Sequence, residues 1–181
     1  MRLIIDGYNV VHAWPQVKAM LTSHNLGEAR SHLVRRLAEY HAVSGTDVIV
    51  VFDSHSRAPA ADDAERIDGV EVRYGSSHDS ADHIIERLCN RAVRAGTAGG
   101  TVVVTNDRLE RAIVSAMGVA TMTVAALIAE VGGAMVERSR QAERQSAGGL
   151  SAGRLESRID PGMREHLERL RRGEGGGGGG G

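Results

Sequence analysis

The sequence predicts a three-layer α/β/α domain built around a mainly parallel sheet. Short runs of β-branched and apolar residues recur along the first 121 residues, and amphipathic helical patterns separate them. Most of the runs are continuously apolar rather than alternating, which is typical of strands buried on both faces. Because parallel strands need crossover connections, the alternation of strand and helix favours an α/β fold.

Each predicted element follows from its own pattern. The strands are residues 2–6, 47–53, 70–74 and 101–105, with a short last strand at 119–121. One helix covers residues 28–41, with Ala29, Leu33, Leu37 and Tyr40 on one face, and a second covers 80–95, with Ile84, Leu88, Cys89 and Ala92 on one face. Further helices are predicted at 107–117 and 124–138.

Two regions lie outside this pattern. Residues 54–69 are polar and contain Pro59, so they predict a long loop between strands. Residues 141–153 predict a linker, 161–172 a short basic helix beginning at a proline, and the terminal run of glycines a disordered tail. The predicted organisation is therefore a domain at 1–140 and a flexible basic appendage at 141–181.

Composition sets broad limits on function. The chain has 181 residues, of which 41% are apolar and 25% charged, as expected for a soluble globular protein. A net charge of −1 argues neither for nor against a polyanionic partner. Cys89 is the single cysteine, and no apolar run of ~18 residues occurs, so we expect a cytoplasmic protein without a membrane span.

Acidic residues follow several predicted strands. Asp6, Asp53 and Asp107 each lie at or just after a strand end, and Asp82 opens a helix with Glu86 four residues later. Open parallel sheets build their sites at the carboxyl ends of strands. If the first strand lies between the second and fourth, these carboxylates converge.

Converging carboxylates repel one another, and a divalent cation removes that cost. Oxygen ligands without paired Cys or His select Mg²⁺ or Mn²⁺, and such an ion supports phosphodiester hydrolysis. The alternative for each aspartate is a turn or N-cap role.

Neutral and basic residues near these acids are candidate substrate contacts. Phosphate or water could be oriented by Asn9, Ser80, Thr105 and Asn106, all of which could instead be caps or turn residues. Stacking candidates are Tyr8, Trp14 and Tyr74, and candidate phosphate contacts are Lys18, Arg57, Arg73 and Arg108.

Four segments in order resemble a known family. The segments LIIDGYNVVHAWP, VIVVFDSH, YGSSHDSADHIIERL and VVVTNDR resemble the YacP-like NYN domains, relatives of the PIN-domain ribonucleases, over about residues 1–140. The resemblance implies a PIN-like fold and a metal-dependent endoribonuclease. Its acidic positions match Asp6, Asp82 and Asp107, with Asn9 in the first motif and Asp53 after the second strand. Similar members include nucleases that act on messenger RNA at the ribosome.

The resulting hypothesis is a Mg²⁺- or Mn²⁺-dependent endoribonuclease acting on single-stranded RNA, including mRNA on the ribosome. Asp6, Asn9, Asp82 and Asp107 are the predicted catalytic residues, and the predicted metal ligands are Asp6, Asp53, Asp82 and Asp107. The predicted substrate contacts are Tyr8, Asn9, Ser80, Thr105, Asn106 and Arg108. Two alternatives stay open: a non-catalytic RNA- or ribosome-binding module, and a small-molecule phosphohydrolase.

Overall fold

A computed structural model describes residues 1–21, 26–53, 64–76 and 79–156. The chain divides into two units, Met1–Glu137 and Arg138–Gly181. The sheet and the candidate site both belong to the first unit. The predicted domain limits at 1–140 and 141–181 stay a prediction.

The first unit is built on a six-stranded sheet. Its strands are β1 (Arg2–Asp6), β2 (Asp47–Phe52), β3 (Glu65–Ile67), β4 (Val70–Tyr74), β5 (Thr101–Val104) and β6 (Ala120–Met122), in the order β3-β4-β2-β1-β5-β6. All pairs are parallel except β3 with β4. The predicted α/β class is confirmed, and β1 lies between β2 and β5, with Ile4 opposite Ile49 and Val103.

Helices cover both faces of the sheet. They are α1 (Gly7–Ala13), α2 (Pro15–Lys18), α3 (Leu26–Ser44), α4 (Ala81–Arg94), α5 (Arg108–Ala116) and α6 (Val124–Glu156). Leu3 and Ile5 pack in a core with α1, α3 and the start of α6, whereas Ile4 packs in a second core with α4 and α5. This division follows from the two-residue period of a strand. None of the described helices is both long and apolar enough to cross a bilayer.

The predicted loop at 54–69 is wrong over its last residues, which form a β-hairpin. β3 pairs antiparallel with β4 through a two-residue turn in which Asp68 has φ 47° and Gly69 has φ 88°. An Asp-Gly pair flanked by apolar Ile67 and Val70 is the sequence signal for this turn. Residues 54–63 lie outside the described residues.

The predicted end of the last helix at Arg138 is also wrong. α6 continues to Glu156, through the stretch 141–153 that the sequence predicts as a linker. Residues 139–147 are mostly Ala, Arg, Gln, Glu and Ser, which all tolerate a helix, and each glycine inside a helix costs only ~1 kcal/mol. The predicted basic helix at 161–172 and the glycine run lie outside the described residues.

Gly7 joins β1 directly to α1, and its lack of a side chain is required by packing. A Cβ atom at Gly7 would overlap the Phe52 ring, which is fully buried. The backbone of the first turn of α1 therefore lies against β2, and this close approach fixes the direction in which the chain leaves Asp6.

We expect Gly7→Ala to lower the free energy of unfolding by about 1–3 kcal/mol, because the core must move to admit the methyl group. Urea unfolding followed by circular dichroism measures the change. Gly99→Ala is the control, since no atom lies within 4 Å of a Cβ built there, and it should change stability by less than about 0.5 kcal/mol. Equal stability of the two variants would contradict the packing argument.

Candidate active site

Asp6 ends β1 and caps α1. Its Oδ1 atom accepts a hydrogen bond from the Asn9 backbone N–H at 3.1 Å, and its Oδ2 atom accepts one from Asn9 Nδ2 at 2.9 Å. Burial raises the pKa of the Asp6 carboxyl, which is only 8% exposed; the Asn9 hydrogen bonds oppose that rise and the Asp82 charge adds to it. Asn9 therefore both orients the carboxylate and supports its anionic form.

Asn9 also ties the β1 end to the neighbouring loop. Its Oδ1 atom accepts from the Asn106 backbone N–H at 3.1 Å, and Asn106 Oδ1 accepts in turn from the Val124 N–H at 3.0 Å. The Thr105 hydroxyl oxygen accepts from the Asp107 N–H at 3.0 Å. These amide and hydroxyl groups fix the starts of α1, α5 and α6 relative to one another.

Three acids from three elements meet at this edge. Ligand oxygens of Asp6, Asp82 and Glu110 all lie within 4.8 Å of one another. Asp82 is in the first turn of α4 and exposed, whereas Glu110 is in the first turn of α5 and only 6% exposed. We call these residues the three-acid cluster.

Glu110 is the most constrained member of the three-acid cluster. Both of its carboxylate oxygens are buried, and among the described residues neither has a hydrogen-bond partner of normal geometry. Burial raises the pKa of Glu110 to about 7, the charges of Asp6, Asp82 and Asp107 add to the rise, and the nearby Thr105 hydroxyl offsets part of it. Buried polar groups are almost always paired, so an unpaired carboxylate facing two others fits a cation-binding role. An all-oxygen donor set suits a hard divalent cation.

The strand-end pattern predicts that the Asp107 carboxylate converges with the other acids, whereas in the structure it caps α5. It is the N-cap of α5, and its Oδ1 atom accepts from the backbone N–H groups of Leu109 at 2.7 Å and Glu110 at 3.2 Å. Among the described residues, Asp107 is not within the 4.8 Å set, although its charge acts on Glu110. A metal-binding role for Asp107 stays a prediction.

Glu110 is not among the residues predicted from the sequence, although the sequence holds a signal for it. Glu110 follows the Asp107 cap by three residues, the spacing at which a glutamate normally bonds back to the cap residue's N–H. Here the Thr105 hydroxyl already accepts from that N–H. The Glu110 carboxylate is thereby left to face Asp6 and Asp82.

A cleft of about 620 Å³ opens over this edge. It is lined by Asp6, Tyr8, Asn9, His12, Ala13, Leu26, Asp53, Ala81 and Asp82. Four predicted metal or catalytic residues thus share one cleft. Asp53 lies on its wall against the Gly75 backbone, where a Cβ atom would stand 3.0 Å from Asp53 Oδ1, and is outside the three-acid cluster.

The remaining predicted residues have mixed placements. Tyr8 packs edge-on against Phe52, with ring centroids 5.5 Å apart, and Ser80 caps α4 by accepting from the His83 N–H at 3.3 Å. Arg108 is exposed at the start of α5. Of the weaker candidates, Trp14 is in the core, Arg73 pairs with Glu71, and Arg57 lies outside the described residues. The substrate-binding roles stay predictions.

Comparison with known proteins assigns the chain to a family. The family model of the YacP-like NYN domain matches residues 3–172. The chain belongs to the YacP-like NYN domain family. One family relative, the uncharacterized protein YacP of Bacillus subtilis (strain 168), is 33% identical over 129 residues, which are 71% of this chain and 74% of that protein.

Solved structures of the same family share the fold. The crystal structure of Rae1 (YacP) from Bacillus subtilis superposes with a TM-score of 0.68 at 28% identity, covering 96% of each chain. The crystal structure of a point mutant of that protein superposes with a TM-score of 0.67 at 28% identity, again covering 96% of each chain. The NYN fold is a nuclease fold, so family membership supports a hydrolytic, ribonuclease-type function.

The pKa of Glu110 predicts a pH-dependent stability in the absence of divalent cations. The folded-state pKa, about 7, is above the usual 4.5, so the folded chain binds this proton more tightly than the unfolded chain does. The contribution of Glu110 to the free energy of unfolding is therefore largest below about pH 4.5. This contribution falls by roughly 3 kcal/mol as the pH rises to about 7.

Glu110→Gln should remove this fall and be the more stable protein at pH 8 in a chelating buffer. Thermal melts at pH 5 and pH 8 measure the difference between the variant and the wild type. Glu137→Gln, which removes an exposed carboxylate, is the control and should follow the wild type. Parallel pH profiles for Glu110→Gln and wild type would show that this carboxylate is not the source.

Proposed function

We propose that this protein is a Mg²⁺- or Mn²⁺-dependent endoribonuclease that hydrolyses phosphodiester bonds of single-stranded RNA in the cleft above the three-acid cluster. The observation that carries the proposal is Glu110, a buried carboxylate that faces Asp6 and Asp82 and has no hydrogen-bond partner in the part of the chain that the structure describes. A cation among the three carboxylates would offset both its desolvation and the mutual repulsion. Family membership supports RNA as the substrate.

The roles that we assign to these residues follow from their burial and their contacts. Asp6 is fixed by Asn9 and Glu110 by the helix that Asp107 caps, so both carboxylates are positioned before any ligand arrives. Asp82 is exposed on the cleft side and completes the set. Bound there, the cation would hold a phosphodiester oxygen and lower the pKa of a water molecule. Asp53 on the cleft wall is the proposed supporting acid.

Messenger RNA on the ribosome is the first natural substrate to test, because the motifs resemble those of nucleases that act there. The predicted products are a 5′-phosphate and a 3′-hydroxyl. The two alternative functions give different results in the same assays. An RNA-binding module binds RNA without cutting it, and a small-molecule phosphohydrolase cuts nucleotides or sugar phosphates in preference to RNA.

Cleavage should require the cation and Asp82. Single-stranded RNA should be cut with Mn²⁺ or Mg²⁺ and left intact with excess chelator, and Asp82→Asn should lower kcat by at least about 100-fold because one cation ligand is removed. Gel analysis of end-labelled RNA, free and on translating ribosomes, measures both. Asp79→Asn is the matched control, since Asp79 pairs with Arg87 at 2.6 Å and is outside the cluster. An equal fall in activity in the two variants, or cutting with chelator, would refute the proposal.

Cation binding should also be visible without activity. At a free cation concentration about 100 times Kd, the wild type should gain about 2.7 kcal/mol of stability, seen as a rise in Tm. Glu110→Gln should lose this gain, whereas Asp107→Asn should keep it because asparagine also caps helices well. If Asp107→Asn loses the gain and Glu110→Gln keeps it, the ligand set includes Asp107 in place of Glu110.

A further inference from the structure

A second cavity adjoins the active-site cleft across the first turn of α3. It has a volume of about 480 Å³ and is lined by Gly27, Arg30, Ser31, Val34, Arg35, Ile67, Asp68 and Tyr74. Leu26 lines the cleft and the next residue, Gly27, lines this cavity. Consecutive Cα atoms are about 3.8 Å apart, so the two spaces share one thin wall.

Arg30 connects the cavity with the cleft. Its guanidinium carbon lies 5.8 Å from the centroid of the Tyr74 ring, and Tyr74 stacks on Phe52 with centroids 5.9 Å apart. Phe52 in turn contacts Tyr8, which lines the cleft.

The arginines of the cavity differ from their neighbour on the helix in how they are paired. Arg36 forms an ion pair with Glu39 at 3.3 Å. Within the described ranges, no carboxylate lies within 4.0 Å of the guanidinium groups of Arg30 or Arg35. Asp68, on the hairpin turn, also lines the cavity without pairing with either. Two positive side chains are therefore directed to the same space.

Substrate binding in the cleft alone would be electrostatically weak. The cleft carries Asp6, Asp53 and Asp82, and a bound divalent cation would offset only part of that charge. Phosphates flanking the reacting bond therefore need positive contacts outside the acids. The adjoining cavity offers two, and arginine is well suited to phosphate because its planar fork donates two parallel hydrogen bonds.

We propose that Arg30 and Arg35 form a subsite for backbone phosphates of the RNA next to the bond that is cut. The Tyr74 ring supports the Arg30 guanidinium through a cation–π contact. The inference rests on the proposed nuclease function and adds to it a direction for the substrate: the strand leaves the cleft over the first turns of α3 toward the β3–β4 hairpin. Arg30 and Arg35 are binding residues, not catalytic ones.

Substitution of the two arginines should weaken RNA binding without slowing the chemical step. Arg30→Gln/Arg35→Gln should raise KM for a long single-stranded RNA by at least about tenfold and leave kcat within about twofold at saturating RNA. In an Asp82→Asn background, in which cutting is slowed at least about 100-fold, Kd for the same RNA should rise by a similar factor. The slope of log Kd against log salt concentration should fall by about 0.7 for each phosphate that the variant no longer neutralises.

Control variants separate this subsite from a general effect on fold or charge. Arg36→Gln removes a neighbouring positive charge outside the cavity and should behave as wild type, whereas Arg30→Lys/Arg35→Lys should recover part of the affinity. The proposal is wrong if the double Gln variant matches Arg36→Gln, or if kcat falls while KM and Kd stay unchanged. Failure of the nuclease function is a separate result, because the wild type itself would not cut RNA with cation present.

Discussion

The cost of placing three carboxylates within a few ångströms, two of them buried, is the constraint around which this fold is arranged. Each acid lies at the start of a helix: Asp6 caps α1, Asp82 is in the first turn of α4, and Glu110 is in the first turn of α5. Helix N-termini favour negative charge, so three helix dipoles reduce the repulsion in the cluster. A central β1 with helices on both faces is what allows three helix starts to meet at one edge.

Neutral polar residues satisfy further backbone groups around the site, in addition to those that Asp6 and Asp107 cap. Asn9 and Asn106 connect α1, the loop before α5 and the start of α6, and Thr105 accepts the N–H of the α5 cap residue. Without Thr105, Glu110 would have that N–H as its natural partner. An uncharged network therefore maintains the geometry while the carboxylate oxygens are directed toward one another.

Much of this arrangement could be predicted from the sequence because it follows from local pattern. The apolar runs identify the strands, and the position of β1 between β2 and β5 brings Asp6 close to the loop after β5. Local pattern alone could not show whether Asp107 or Glu110 joins Asp6 and Asp82 in the three-acid cluster. Both are near a strand end, and only the three-dimensional structure shows that one caps α5 while the other turns inward. The length of α6 escaped prediction for a related reason, since small polar residues fit a helix and a linker equally well.

The three acids differ in burial, so the two sides of the three-acid cluster are not equivalent. Asp6 and Asp82 line the cleft, whereas Glu110 is buried and does not line it. In the proposed function a ligand would therefore approach from the Asp82 side, and the buried Glu110 carboxylate would contact the cation from within the protein. An exposed acid contributes charge at little desolvation cost, and a buried one contributes more strongly because the surrounding dielectric is low. The basic side chains of the proposed subsite lie apart from the three-acid cluster, across the first turn of α3. Positive charge beside the cluster would neutralise it, whereas at that distance it would contact a polyanion that the acids alone would repel.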